Sequence, residues 1–376
     1  MTRIVLTGSG SGGHFYPLIA IAESLSASAT NSHHETPKLY LMAPNPYDRG
    51  SLFSYGIEYV HVPAGKVRRY FSIRNFFDFF KTLAGVFVAL WKLYVIYPDV
   101  VMSKGSYTSV PVVIAATLLR IPIVIHESDV QLGMANKLAS RIARIIAVSY
   151  EASLRFVPED RSIRTGIPVR SELRSAYTGN AYETLGIEEN GPLILVLGGS
   201  HGAERVNDLI ITALDNLLPT YTILHQTGEQ HAQIVSETAH ALIKQKELLP
   251  KYHVRGFLTG EMMSAALTTA VLIISRAGSG TIYETALHGK PSILIPIPEE
   301  VSHDQRMNAY EYARTGAASV MEERNLTPHL LVAEITRIIS SQPETLRMQE
   351  AARAFAPKDA AEKVATILNE IVATHS

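Results

Sequence analysis

One unit occurs twice in this chain, and it constrains the fold more than any other feature. A short apolar run stops at a cluster of glycines, and helical spacing follows at once. The first copy is Arg3–Thr7, then Gly8-Ser9-Gly10-Ser11-Gly12-Gly13-His14, then a helix expected over 17–26 with Leu18, Ile21, Ala22 and Leu25 on one face. The second is Leu193–Leu197, then Gly198-Gly199-Ser200-His201-Gly202, then a helix from Ala203. Small residues in such a turn let backbone N–H groups approach an anion, and the helix start adds partial positive charge.

Further strands are expected at 38–42, 58–62, 99–103, 122–126 and 144–149 around the first copy. Around the second they are expected at 222–225, 252–255, 271–275 and 292–296. Helical segments at 110–119, 133–143, 280–288 and 304–315 separate them, and the chain beyond Pro343 is helical in composition. This alternation predicts an α/β fold with two Rossmann-like parallel sheets, each wrapped on both faces. The rhythm breaks at Gly166-Ile167-Pro168. The expected division is therefore 1–165 and 166–349, with a C-terminal helix at about 350–376 that can pack back on the first domain. Ligands bind at the C-terminal ends of strands in open α/β sheets, so the expected active site is a cleft between the two domains.

Composition narrows the chemistry. The 376 residues contain no cysteine, which excludes disulfide scaffolds, cysteine–metal sites and thiol nucleophiles. The net charge of −1 argues against a uniformly basic nucleic-acid binder. That balance hides two unlike halves: residues 1–165 carry 17 Lys/Arg against 11 Asp/Glu, and the remainder 17 against 24. The apolar run Ile4-Val5-Leu6 is too short for a signal-peptide core. The apolar stretches near 82–91 and 110–119 meet Lys92 and Arg120 well short of the ~20 residues a spanning helix needs. A cytoplasmic chain without a transmembrane anchor is expected. Residues 66–92 combine Lys66, Arg68, Arg69, Arg74, Lys81 and Lys92 with Phe71, Phe76, Phe77, Phe79, Phe80 and Phe87 and the sole Trp, Trp91. Basic residues interleaved with aromatics suit an anionic lipid surface. Membrane contact is expected over 70–81, and a core helix with a solvated basic face over 83–93.

The first loop satisfies G-x-G-x-x-G through Gly8, Gly10 and Gly13 but lacks the Lys-Ser/Thr of a P-loop. No acid follows the strand at 38–42, which speaks against a dinucleotide. A third loop, Arg276-Ala277-Gly278-Ser279-Gly280-Thr281, precedes a helix carrying Glu284. That carboxylate can accept two hydrogen bonds from a ribose diol, or simply favour the helix dipole as a first-turn acid. Three phosphate-compatible loops together point to a nucleotide ligand.

In order along the chain stand Gly8–His14 with Tyr16-Pro17, Gly198–Ala203, His225-Gln226-Thr227-Gly228, residues 275–284, Asp304-Gln305-Arg306-Met307-Asn308-Ala309 and Gly316-Ala317. This ordered set resembles the MurG family of UDP-N-acetylglucosamine transferases of peptidoglycan synthesis, over nearly the whole chain. The resemblance implies a GT-B glycosyltransferase with a UDP-sugar domain and a lipid-acceptor domain. It implies inverting transfer of N-acetylglucosamine to an undecaprenyl-diphosphate-linked muramyl peptide, on the cytoplasmic face of the membrane, in cell wall biogenesis. It implies no cofactor and no Asp-x-Asp metal motif, and the sequence contains no Asp-x-Asp. The partners implied are the UDP-sugar donor, the lipid-linked acceptor and an anionic membrane surface, without nucleic acid.

By the same resemblance Glu284 would bind the ribose, and Ser279, Gly280 and Thr281 would surround the nucleotide. Leu258 would meet the uracil through its backbone, Ser200 and Arg170 the diphosphate, and Gln305 with Asn308 the sugar hydroxyls. Ser11, Gly12 and Gly13 would lie beside His14, which serves as catalytic base or only caps the loop. Asp129 stands where the family has Asn, near the donor phosphates, with Lys104 available as counter-charge. Gly105, Ser106, Tyr107, His126 and Glu127 would face the acceptor, with Ser106 where the family has a second Gly. Alternatives are the same fold with another lipid-linked or soluble acceptor, a UDP-sugar 2-epimerase, and a nucleotide-sugar-binding regulator without turnover.

Overall fold

The computed structural model describes residues 2–31, 35–66, 73–199, 203–298 and 303–375. The chain forms two compact units, one of residues 1–170 with 359–376, the other of residues 171–358.

The first unit is built on a seven-stranded sheet: β1 (Arg3–Thr7), β2 (Lys38–Ala43), β3 (Glu58–His61), β4 (Val100–Ser103), β5 (Ile123–Glu127), β6 (Ile145–Val148) and β7 (Ser162–Arg164). Every pairing is parallel, in the order β3-β2-β1-β4-β5-β6-β7. The second unit has β8 (Leu193–Leu197), β9 (Thr222–Gln226), β10 (Tyr252–Arg255), β11 (Leu272–Ser275), β12 (Ser292–Leu294) and β13 (Ala318–Val320). They are also all parallel, in the order β10-β9-β8-β11-β12-β13. Central strands such as β4, β5 and β8 are buried along their whole length, which explains why they read as continuous apolar runs.

The two sheets share one plan. The first strand of each sits inside the sheet, the next two extend to one side, and the chain then returns to the other side. The order therefore reverses between β1 and β4 in one unit and between β8 and β11 in the other. Such switch points are where open α/β sheets leave a crevice. The glycine loops recognised in the sequence follow β1, β8 and β11, and the Lys104–Tyr107 turn follows β4.

Several expectations are corrected in detail. The edge strands β7 and β13 were not anticipated, since three residues are too few to show a period. The first helix is Gly12–Asn31, with Pro17 inside it, so the glycine loop is itself the helix N-terminus. The chain leaves the first unit after Arg170 rather than after residue 165. Helix Gln342–Phe355 stays with the second unit, where the Phe355 ring lies 5.0 Å from Tyr283 and 4.8 Å from Tyr312. Only helix Ala360–His375 returns, and it places Val364, Leu368 and Ile371 in one core with Leu18, Ile21 and Leu25.

Leu368 is fully buried in that core. Leu368→Ala is expected to cost about 2–5 kcal/mol. Hydrogen exchange should show the loss in β1, β2 and β4 while β8 and β11 keep their protection; an unchanged first unit would contradict the assignment.

Candidate functional site

In the first unit two loops interlock at the switch point. Thr7 O accepts from Lys104 N at 2.9 Å. Gly8 has φ +107, and a Cβ there would come within 2.5 Å of Gly105 O. Gly105 has φ +85, and a Cβ there would meet the Asn136 amide at 2.8 Å. Side chains at these two positions would force the loops apart. His14 N and Phe15 N both donate to Ser11 O, at 3.0 and 2.9 Å, and Gly12 N and Gly13 N stand in the first turn, where a helix has no intrahelical acceptor for them. A Cβ on Gly13 would meet nothing within 4 Å, so this end of the helix faces open space. The Ser11 hydroxyl and His14 Nδ1 are 2.8 Å apart.

Charge is concentrated beneath these loops. Lys104 is 2% exposed and contacts the Ser128 hydroxyl through Nζ. Burial lowers it to about 8, against the opposing pull of Glu127 and Asp129. Burial, then Lys104, lowers His14 to about 4, partly offset by Asp129. His14 is therefore neutral at pH 7. Glu127 Oε1 accepts from Ser128 N at 2.9 Å and Asp129 N at 3.1 Å, and Oε2 from Gly133 N at 2.9 Å and Asn136 Nδ2 at 3.0 Å. Burial and the neighbouring Asp129 push its carboxyl up. His126 Nε2 donates to Gly166 O at 2.8 Å, and burial holds the ring well below its usual range. Both side chains are buried, so they shape residues 126–136 from within instead of presenting themselves to a ligand. Asp129 and Tyr107 are half-buried nearby.

The sequence did not single out an aromatic cluster beside the first loop. Phe15 and Tyr47 rings lie 5.1 Å apart, Tyr16 and Tyr47 6.0 Å, and Arg170 stacks over Tyr16 at 4.2 Å. The available signal was Pro44-Asn45-Pro46-Tyr47, a rigid turn at the C-terminal end of β2. Arg170 thus belongs to the first unit.

In the second unit the third loop opens helix Ser279–Leu287, with Gly278 at the N-cap and no side chain capping it. A Cβ on Gly278 or Gly280 would meet nothing within 4 Å, so the space before the first N–H groups is open. Thr281 and Glu284 are half-buried on this helix. Glu284 stands six residues in, past the first turn, where the dipole has faded. Asn308 is fully buried and donates to Ser279 Oγ at 2.9 Å. It braces the helix start and is not exposed to read a sugar. Gln305 Oε1 accepts from Ile297 N at 3.4 Å. Leu258 packs its side chain into the core with Leu185 and Leu267, leaving only its backbone for a ligand. Arg276 anchors the loop, donating to Ile295 O at 3.2 Å and pairing with Glu323. Gly198 N donates to Gln226 O at 2.9 Å, and Gly199 has φ +81. Ser200 lies outside the described residues. Among the described residues no group of three His, Asp or Glu is arranged to hold a metal ion.

The aromatic segment forms helix Ile73–Ile96. Lys92 does not end it, and Asn75–Ile96 is long and apolar enough to cross a membrane. The helix is docked on the first unit through Val86, Ala89 and Leu93, which are buried, and Gly85 rests against Pro63. Its other face exposes Phe76 (63%), Phe77, Phe80, Leu83, Phe87 (65%), Trp91 (66%) and Tyr94. The expectation of a solvated basic face over 83–93 is thereby corrected: the outward face stays aromatic. Arg68, Arg69 and Phe71 lie outside the described residues; Arg74 falls in the helix's first turn.

Comparison with known proteins agrees with this geometry. Residues 4–148 match the glycosyltransferase family 28 N-terminal domain, and residues 193–364 the family 28 C-terminal domain. A Treponema denticola protein named UDP-N-acetylglucosamine–N-acetylmuramyl-(pentapeptide) pyrophosphoryl-undecaprenol N-acetylglucosamine transferase is 33% identical over 98% of this chain and 97% of its own. The crystal structure of Acinetobacter baumannii MurG superposes with a TM-score of 0.74 at 24% identity, covering 98% of this chain and all of that one. A Neisseria meningitidis UDP-GlcNAc 2-epimerase shares the fold at a TM-score of 0.67 and 15% identity, each chain covered in full. The chain is a family 28 glycosyltransferase with the GT-B fold. Within that class it belongs to the MurG family of N-acetylglucosaminyltransferases.

The His14 environment makes a prediction. Its imidazole should titrate near 4 by NMR, and Lys104→Met should move that value upward. The folded value lies below the ordinary ~6.5, so the unfolded chain takes up this proton first. Stability from this group is complete above about 6.5 and falls as pH drops toward 4. Titration of His14 near 6.5 in the unaltered protein would refute the assignment.

Proposed function

We propose that this enzyme transfers N-acetylglucosamine from UDP-N-acetylglucosamine to an undecaprenyl-diphosphate-linked muramyl peptide, the step from lipid I to lipid II in peptidoglycan synthesis. The observation that carries the reading is the full-length 33% identity to a transferase named for that reaction. The open helix start at Gly278–Thr281 supports placing the donor on the second unit, with Glu284 accepting from the ribose diol and Gln305 meeting the sugar. Ser279 and Asn308 hold that helix start in register.

The acceptor's hydroxyl attacks the anomeric carbon from the face opposite UDP. The new C–O bond forms as the bond to the diphosphate breaks, UDP leaves with the electron pair, and configuration inverts. The hydroxyl proton goes to His14. For Nε2 to take it, Nδ1–H must donate to Ser11 Oγ, which the 2.8 Å separation permits. Backbone N–H groups at the helix start Gly278–Thr281 offset the charge that gathers on the leaving diphosphate.

The enzyme is peripheral on the cytoplasmic face of the membrane in this reading. Helix Ile73–Ile96 lies in the interface with its aromatic stripe outward, since crossing would strip Val86, Ala89 and Leu93 from the core.

Release of UDP is expected only when lipid-linked acceptor is present; release without acceptor, with epimerised sugar, would identify an epimerase instead. Glu284→Ala should weaken UDP binding about tenfold by calorimetry, and an unchanged affinity would remove Glu284 from the donor site. Phe87→Ser with Trp91→Ser should abolish most sedimentation with anionic vesicles while hydrogen exchange in β4 stays the same. Full retention on vesicles would assign the stripe elsewhere.

A further inference from the structure

A cavity of about 520 Å³ opens on the second unit away from its glycine loops. Thr268 lines it from the end of helix Gly260–Thr269, ahead of β11. His288 and Lys290 line it from the end of helix Ser279–Leu287, ahead of β12. Arg174, Ser175 and Lys358 add to the wall. Helix Ser279–Leu287 therefore has its open N-terminus at the third glycine loop and its last turn at this cavity, about 13 Å away.

The wall is cationic, and no acid lines it. Glu172 turns instead toward Gly260, at the far end of that helix, where a Cβ would collide with its carboxylate. Asp359 pairs with Lys363 at 3.0 Å. Part of the positive charge serves backbone carbonyls. Lys290 Nζ donates to Thr268 O at 2.7 Å, and His288 Nε2 to Leu173 O at 3.0 Å. Lys358 and Arg353 have no such task, since neither side chain makes a hydrogen bond or ion pair with another described residue. Arg353 lies beside Lys290: a Cβ on Gly289 would meet Arg353 Nε at 2.6 Å. Three helices end in this region, the third being Gln342–Phe355, and each end carries roughly half a negative charge. Lys290, Lys358 and Arg353 exceed that total even with Arg174 left out. Burial, then Arg353, lowers Lys290 to about 8, so an entering anion would relieve both cations.

We propose that this cavity is a second anion site, which takes a small soluble phosphate ester or diphosphate on Lys290, Lys358 and the adjacent guanidinium groups. Its volume is that of a small-molecule site. Converging cationic donors suit phosphate oxygens, which only accept. None of the large apolar side chains exposed on the protein belongs to the wall, so nothing here would enter a bilayer. The site is independent of the donor and acceptor readings above.

The test uses the full-length protein saturated with UDP, so that the donor site is filled. Sodium pyrophosphate is titrated in while the amides of Ser175, Gly289 and Lys358 are followed by NMR. These amides should shift to saturation, and sodium chloride at equal ionic strength should leave them in place. Lys358→Ala combined with Arg353→Ala removes two exposed side chains and should weaken this binding at least tenfold. Lys290→Gln should do the same. UDP affinity by calorimetry should be unchanged in both variants, which shows that the unit has folded. Unmoved amides overturn the proposal, and so does equal pyrophosphate affinity in the double variant. Binding of anionic vesicles through Lys358 and Arg353 without pyrophosphate binding also overturns it, because the cations would then serve a lipid headgroup.

Discussion

The hydrogen bond from Lys104 N to Thr7 O, with the bare glycines on either side of it, is the contact on which the first unit's site depends. It joins β1 to β4 at the place where the sheet reverses its order. Because Gly8 and Gly105 carry no Cβ, the two turns close to van der Waals distance. His14, Ser106, Lys104 and the residues after β5 are then neighbours without any having to reach. Separating the turns by one methyl group would disperse them, although each strand would still form.

That contact also explains the electrostatics. Lys104 is the first residue after a fully buried strand, so its ammonium is carried below the surface with no freedom to leave. Glu127 and Asp129, at the end of the neighbouring strand, supply opposite charge from within the same unit. Isolated, either charge would be costly there; together they keep a polar interior beneath a loop that is otherwise neutral backbone. His14 feels this interior and stays unprotonated. The second unit handles its own loop differently. There Asn308 secures Ser279 and Glu323 secures Arg276, both from elements later in the chain.

Much of the fold was readable because parallel strands buried on both faces leave unmistakable apolar runs, and glycines mark where they stop. Eleven strands lie close to where the sequence places them, whereas β7 and β13 are too short to carry a pattern. Pro17 misled, since it reads as the first residue of a helix that in fact begins at Gly12. Over 83–93 charge is a poor guide. Lys92 suggests a wetted face, but Phe76, Phe80, Leu83, Phe87, Trp91 and Tyr94 recur every three or four residues along a single stripe. The sequence named the site loops but not what individual side chains do within them. That Asn308 and His126 point inward, and that Ser106 is strained, are properties of long-range packing that no local pattern encodes.

The return of helix Ala360–His375 to the first unit has a consequence for how the protein is made. Its Val364, Leu368 and Ile371 complete a core whose buried members outside this helix all lie between residues 4 and 147. The second unit needs nothing beyond residue 358. A ribosome therefore exposes the first sheet long before it delivers the helix that seals it. The unit whose sheet comes first along the chain is completed last, and during that interval its aromatic stripe and its unsealed core are exposed together.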